Sequence, residues 1–214
     1  MKFKPFSIAV AYFVVVILVA HFFAQPNYLW SQNTISDLAA QGHENKWIMQ
    51  TGFIGFGALI VLGAGYYLKQ NARLYFLYAV AVYGLSILMA GIFCTAPIEA
   101  NLPFSVSDAE LHSLFAMIAG FAMTLGILLQ IVFSANRRER GIRVVFLLLV
   151  IGFSASFGIA EGGELDMYKG ILQRLLYVSG LAWLVYEEYV WSHQHIPNRE
   201  RNQRARVNAQ KILR

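Results

Sequence analysis

Long apolar stretches alternate with short polar segments along the whole chain of 214 residues. An α-helix needs about 20 mostly apolar residues to cross roughly 30 Å of hydrocarbon, and six stretches approach or reach that length. Because lipid offers the backbone no hydrogen-bond partners, such stretches form helices or a closed barrel, and these runs lack the alternation of barrel strands. The pattern predicts spans at about 6–23, 47–68, 74–94, 111–133, 144–160 and 171–191.

The six spans predict an all-α membrane protein, built as a six-transmembrane-helix bundle of three outward-facing helical hairpins. The composition agrees, since 57% of the residues are hydrophobic and only 14% are charged. A soluble globule of this length would lack the polar residues to cover its surface. One transmembrane domain is therefore expected over residues 1–191, followed by a basic tail over residues 192–214.

The basic residues divide unequally between the two sides of the predicted bundle. Of the 17 Lys and Arg residues, only Lys46, Lys169 and Arg174 fall on the side that carries the long first loop. Since Lys and Arg near span ends are retained in the cytoplasm, both termini are predicted inside. The net charge of +5 follows from this topology and from a tail lying on anionic lipid, so no nucleic-acid partner is expected.

Small residues recur at helical spacing on three of the predicted spans. Such residues let helix backbones approach closely, so they predict helix–helix contacts, with a pocket or channel lining as the alternative. The same faces would also serve a homo-oligomer, so the oligomeric state stays open. The residues are Gly52, Gly55 and Gly63 on the second span, Ala116, Gly120 and Thr124 on the fourth, and Gly152, Ser154, Ser156 and Gly158 on the fifth.

Acidic residues collect on the outer side of the predicted bundle. Asp108 and His112 are four residues apart, so on a helix they share one face and the carboxylate can orient the imidazole. Glu161 ends the fifth span, where a carboxylate needs a partner or a wet cavity, and Arg174 opens the sixth span as the expected partner. The eight outer acids are Asp37, Glu44, Glu99, Asp108, Glu110, Glu161, Glu164 and Asp166. The inner acids, expected beside Lys or Arg or in water, are Glu139, Glu187, Glu188 and Glu200.

The longest outer loop adds an amide, two hydroxyls and a carboxylate between Asn33 and Leu38. The candidate ligand-binding residues are Asn33, Ser36, Asp37, Glu161 and Arg174. Each also has a structural interpretation. Ser36 or Asp37 would cap a short helix, Asp108 would cap the fourth span, and Glu161 with Arg174 would form a structural ion pair.

A zinc site is a further hypothesis for the same residues. Catalytic zinc takes three protein ligands, typically His with Asp or Glu, and keeps one position open for water. Asp37, Asp108 and His112, together with either His43 or His21, would meet that count if the first loop folds over the fourth helix. Ser36 and Glu161 would then be the candidate catalytic residues. No HExxH or paired CxxC motif accompanies this set.

Three short motifs resemble a bacterial group of six-span membrane proteins, the domain of unknown function family 998. They are the Asn33–Leu38 stretch after the first span, His112 opening the fourth span, and the pair Gln173-Arg174 opening the sixth. The likeness covers about residues 6–191 and implies six spans in a bacterial inner membrane. It directs attention to Ser36, Asp37, His112 and Arg174, but it implies no activity.

Three functions remain in competition. Binding of a lipid headgroup, an amphiphile or a metal ion at the outer face ranks first, with membrane lipids as partners. A metal-dependent intramembrane hydrolase, using zinc on a lipid amide or ester, ranks second. A small transporter or channel subunit ranks third, because the spans carry few ionisable groups at mid-membrane depth.

Overall fold

The structure is a computed structural model that describes residues 4–70, 74–99 and 101–194. Within these residues the chain is all-helical, as predicted, with no strand. Its α-helices are α1 (Pro5–Phe22), α2 (Lys46–Gln70), α3 (Phe76–Ile92), α4 (Val106–Val132), α5 (Arg137–Glu161) and α6 (Lys169–Gln194). Two short 3-10 helices cover Ser36–Ala39 and Asp166–Tyr168. From residue 195 onwards, the predicted basic tail lies outside the described residues.

Four of the described helices, α1, α2, α4 and α5, are long and apolar enough to cross a membrane. The apolar helix α3 has 17 residues, and α6 carries four charged side chains within its length, Lys169, Arg174, Glu187 and Glu188. Large apolar side chains also cover the outside of the bundle: Phe121 is 70% exposed and Leu148 is 65% exposed. Extended apolar surface is rare on soluble monomers, so the helices and their surface indicate a membrane protein.

Successive helices run antiparallel. Phe6, at the start of α1, packs on Tyr67 near the end of α2, with ring centroids 5.4 Å apart. His112, near the start of α4, contacts the carbonyl oxygen of Ala90 near the end of α3 at 2.7 Å. One end of the bundle, named the loop end, thus contains the connections at residues 23–45, 93–105 and 162–168. The opposite end, named the arginine end, contains the connection from α4 to α5 at residues 133–136.

The glycines of α2 give close helix packing, as predicted. A Cβ atom at Gly52 would lie 2.7 Å from Val16 of α1, and one at Gly63 would lie 2.9 Å from Phe6. On another face of α2, Gly57 lies against the backbone of Gly84 in α3. The first three helices therefore form the tightly packed part of the bundle.

The corresponding prediction for α4 and α5 is wrong at Gly120, Gly152 and Gly158. A Cβ atom at Gly120, Gly152 or Gly158 would meet nothing within 4 Å. Gly120 and Gly158, together with Ala116 and Ser154, instead line an open space. The pocket lining that the pattern left as an alternative is what the structure shows for these residues.

Helix α5 begins at Arg137, before the start predicted at residue 144, and this additional part contains the buried Arg143. Arg143 bonds Glu187 of α6 in a bidentate pair, from Nε to Oε1 at 2.6 Å and from Nη2 to Oε2 at 2.9 Å. Its Nη1 donates to the Ser134 hydroxyl at 2.8 Å. Because paired bonds of this kind satisfy a desolvated guanidinium, the helix continues into the arginine end without exposing the charge.

A second buried glutamate of α6 holds the amino-terminal end of α1. Glu188 Oε1 accepts hydrogen bonds from the Phe6 amide at 2.9 Å and the Tyr67 hydroxyl at 2.8 Å. Its Oε2 accepts from the Ser7 amide at 2.8 Å and the Ser7 hydroxyl at 2.5 Å. The first amides of a helix lack intrahelical acceptors and carry its positive dipole end. The expectation that Glu188 lies beside a basic residue or in water is therefore wrong.

Replacing Glu188 by alanine should lower the free energy of unfolding by about 3 kcal/mol, because it leaves several buried donors without an acceptor. Tyr67→Phe removes only one of these bonds and should cost about 1 kcal/mol. Thermal unfolding of the detergent-solubilised protein measures both effects. Glu164→Ala changes an exposed carboxylate and is the control. A Glu188→Ala variant as stable as that control would contradict the role of Glu188.

Candidate functional site

A cavity of about 1010 Å³ lies between α4, α5 and α6 and reaches the loop end of the bundle. Its volume lies at the upper end of the roughly 300–1,000 Å³ typical of small-molecule pockets. The polar lining is concentrated where the helices meet the connections. Those residues include Asn33, Thr34, Ser36, Asp37, Glu161 and Lys169.

The rest of the cavity extends to the middle of the helices and is apolar. Ile87 of α3, Met123 of α4 and Val150 of α5 line this part. Two further lining residues, Phe121 of α4 and Ile151 of α5, are 70% and 47% exposed on the apolar surface of the bundle. The cavity therefore communicates sideways, between α4 and α5, with the surface that lipid would cover.

The segment 33–37 closes the loop end of the cavity through its own hydrogen bonds. Asp37 Oδ2 accepts from the Thr34 amide at 2.7 Å, and the Asp37 amide donates to Thr34 Oγ1 at 3.1 Å. Gln173 of α6 then accepts from the Ile35 amide at 2.7 Å. Asp37 thus bonds the turn that precedes the short 3-10 helix, and no side chain caps that helix.

Arg174 fastens the same loop to both α1 and α6. Its guanidinium donates to the Asn33 carbonyl oxygen at 2.9 Å, to His21 Nε2 at 3.0 Å and to the Tyr28 hydroxyl. It also lies 5.0 Å from the ring centroid of Trp30, within cation–π distance. Burial raises the pKa of Tyr28 to about 12 although Arg174 acts in the opposite direction, so the hydroxyl keeps its proton at neutral pH.

The predicted ion pair between Glu161 and Arg174 is wrong. Glu161 instead lies 3.8 Å from the amine of Lys169, which is also 3.7 Å from Asp166. The Glu161 side chain is 53% exposed, so this pair is a weak one. Because carbonyl, hydroxyl and imidazole acceptors occupy the guanidinium, Arg174 does not line the cavity and acts on it through the loop.

His112 is buried in the cavity wall with a defined tautomer. Its Nδ1 lies 2.7 Å from the carbonyl oxygen of Ala90 and 3.0 Å from that of Phe93. Since both oxygens only accept, Nδ1 carries the proton in the neutral form of the ring, and the lone pair of that form lies on Nε2. Nε2 has no hydrogen-bond partner among the described residues. Among the described residues, Trp183 Nε1 is the one fully enclosed side-chain nitrogen or oxygen that lacks a partner. His112 Nε2 also lacks a partner but is not fully enclosed, so it is accessible from the cavity that His112 lines.

The predicted pairing of Asp108 with His112 is also wrong. No hydrogen bond or ion pair joins them, because the imidazole turns towards the carbonyl oxygens of α3. Ser105 caps α4 by accepting from the Asp108 amide at 3.3 Å, so Asp108 is not the cap residue either. Asp108 also lies outside the cavity lining.

The three residues predicted to hold zinc do not form a metal centre. Asp37 and His112 line the cavity, whereas Asp108 does not. Across residues 4–70, 74–99 and 101–194, no group of three or more His, Cys, Asp or Glu side chains is arranged to hold a metal ion.

A family model described as "Protein of unknown function (DUF998)" matches residues 7–186 of the chain. The chain belongs to this family. The match confirms the resemblance inferred from the sequence motifs, and it extends from α1 into α6. No curated protein and no solved structure matches the chain.

The four positions singled out in this DUF998 protein fall into two groups. Ser36, Asp37 and His112 line the cavity, and Arg174 holds the loop that closes it. Lys169, together with the apolar half of the cavity, was missed by sequence reasoning. The available signal is the small-residue pattern on α4 and α5, which predicts helix contact and offers a pocket lining only as the alternative.

Arg174→Lys should loosen the loop end in this DUF998 protein, because an ammonium group cannot reach the same set of acceptors in a fixed plane. We expect faster hydrogen exchange in peptides covering residues 24–45 and a loss of about 2 kcal/mol in stability. Glu161→Gln, which affects only the weak pair with Lys169, is the matched control. Unchanged exchange in the Arg174→Lys loop would refute the fastening role.

Proposed function

We propose that this protein binds an amphiphile taken from the surrounding lipid into the cavity between α4 and α5. The observation that carries the proposal is the division of one cavity into a polar part at the loop end and an apolar part at the middle of the helices. An amphiphile has the same division. Its head group would lie near Asp37 and Lys169, and its chain near Met123 and Val150.

The small residues of α4 and α5 support a lipid-filled cavity. Within a bilayer no hydrophobic force drives helices together, so they associate through van der Waals packing and interhelical bonds. A face made of Ala116, Gly120, Ser154 and Gly158 has few side-chain atoms to offer, and an empty space beside it loses those contacts outright. An acyl or alkyl chain entering between the two helices supplies the missing contacts.

The proposal includes a six-span arrangement with both termini in the cytoplasm of a bacterial cell. The antiparallel order of the helices and the concentration of Lys and Arg away from the loop end support it. In this arrangement α3 and α6 complete the spans, with the buried charges of α6 bonded inside the bundle. The polar part of the cavity then faces the outer leaflet of the inner membrane.

Binding is the function that this geometry supports best. The zinc hydrolase hypothesis requires three ligands around one point, and Asp108 is separate from the cavity that Asp37 and His112 share. A transport path would have to continue to the arginine end, whereas the cavity lining extends only to the middle of the helices.

Gly120→Leu should abolish amphiphile binding without unfolding the protein. The added side chain enters the cavity, where a Cβ meets nothing within 4 Å, and leucine favours a helix by up to about 1 kcal/mol over glycine. Retention of a fluorescent long-chain amphiphile by the purified protein is the measurement. Gly65→Leu is the matched control, because Gly65 also has nothing within 4 Å but does not line the cavity. Equal loss in both variants, or in neither, would count against the cavity.

Cysteine labelling tests the proposed orientation. The single native cysteine, Cys94, is first replaced by serine. In intact cells a membrane-impermeant maleimide should label Asn101→Cys at the loop end, and it should label Arg137→Cys at the arginine end only after permeabilisation. The reverse pattern would place the polar part of the cavity in the cytoplasm and overturn the orientation.

A further inference from the structure

Resting on the proposed function, we further infer that the cavity selects amphiphiles whose head group is a protonated amine. Asp37 supplies the opposing charge, and the Nε2 atom of His112 accepts a hydrogen bond from the amine. The chemical class is therefore a long-chain amine, in preference to a fatty acid or a neutral alcohol of the same chain length.

The charges of the cavity wall favour a cation. The charged side chains among its lining residues are Asp37, Glu161 and Lys169, so the formal balance is one negative charge. Lys169 is also shared between two carboxylates, at 3.8 Å from Glu161 and 3.7 Å from Asp166. An anionic head group would meet one cationic side chain among the lining residues, Lys169, and that side chain is already paired with carboxylates.

Of the two carboxylates that line the cavity, Asp37 is the one without a basic partner. No Lys, Arg or His of the described residues lies within ion-pair distance of it, and its one recorded acceptor bond uses Oδ2 with the Thr34 amide at 2.7 Å. The side chain is half-buried in the polar part of the cavity. A carboxylate in partly desolvated surroundings gains more from a cationic partner than one in water, because the local dielectric constant is lower and the charges are screened less.

His112 adds the requirement for a donor. The residue is 5% exposed, and Nδ1 is already committed to the two carbonyl oxygens of α3. The lone pair on Nε2 therefore faces the cavity without a protein donor among the described residues. A ligand that shuts this acceptor off from water without donating to it leaves it unpaired, which costs free energy, so a ligand with an N–H group binds better than one without it.

The positive charge of Arg174 does not favour an anionic ligand in the cavity. Its guanidinium is bonded to Asn33, His21 and Tyr28, and it does not line the cavity. An anion entering the cavity therefore does not reach an available guanidinium.

The test compares four probes with the same twelve-carbon chain: dodecylamine, dodecyltrimethylammonium, dodecanol and dodecanoate. Each displaces a fluorescent alkylamine from the full-length protein in a neutral maltoside detergent at neutral pH, where an alkylamine resembles lysine and is protonated. The primary amine should bind about tenfold or more tightly than the alcohol, as expected for a partly desolvated charge pair. The carboxylate should bind weakest. The trimethylammonium compound, which has the charge but no N–H donor, should fall between the amine and the alcohol.

Two variants separate the two contributions. Asp37→Asn keeps an oxygen for the Thr34 amide and should weaken both cationic probes about tenfold, while dodecanol binding is unchanged. His112→Asn keeps a donor for the α3 carbonyl oxygens but removes the ring nitrogen that faces the cavity, so no acceptor remains at the position of Nε2. It should weaken the primary amine several-fold and leave the trimethylammonium compound unchanged. Asp108→Asn, at the same end but outside the lining, is the matched control and should change none of the four.

The outcomes distinguish this inference from the proposed function. If all four probes bind equally and Gly120→Leu blocks them, the cavity binds amphiphiles but the amine preference is wrong. If no probe binds, both the inference and the proposed function fail. An amine preference that survives Asp37→Asn overturns the role of Asp37, and a His112→Asn variant with unchanged amine binding overturns that of His112.

Discussion

The fold depends on hydrogen bonds that the charged side chains of α6 form inside the bundle. Lipid offers none, and a charge left unpaired in the membrane costs several kcal/mol. Glu188, near one end of α6, therefore accepts hydrogen bonds from the first amides of α1. Arg174, near the other end of α6, bonds His21 at the opposite end of α1. Glu187 bonds Arg143 and so attaches α5. Three sets of hydrogen bonds thus join α6 to its neighbours.

These bonds allow the bundle to be packed unevenly. On one side, Phe13 of α1 stacks on Phe56 of α2 with ring centroids 4.5 Å apart, and glycines bring the backbones together. On the other side, α4 and α5 present small residues to an open cavity. The helices on that side remain in place because α5 is held by the Arg143 and Glu187 pair and α4 by its packing on α3. An opening towards lipid is compatible with a stable fold for this reason.

The helices followed well from the sequence, and the bonds between them did not. The predicted fourth span at 111–133 corresponds to α4 at Val106–Val132, because a long apolar run ended by polar residues has few other structures available in a membrane. The bond between Arg174 and His21 joins residues 153 positions apart, so no local spacing indicates it. Asp108 and His112 had the right spacing, yet the α3 carbonyl oxygens competed for the imidazole.

The cavity was the least predictable feature for a related reason. A glycine permits close approach of a second helix, and it equally leaves space when no helix approaches. Gly52 and Gly120 are the two cases in this chain. The difference lies in what the neighbouring helix presents, which is Val16 beside Gly52 and no atom within 4 Å of a Cβ at Gly120. Local sequence patterns do not distinguish the two.

The most direct test of the central claim is a crystal structure of the protein grown from a lipid mesophase. We expect elongated density between α4 and α5, with its polar end near Asp37 and its chain directed towards Met123 and Val150. Helices α4 and α5 packed against each other, with Gly120 and Gly158 in contact and no space between them, would contradict it.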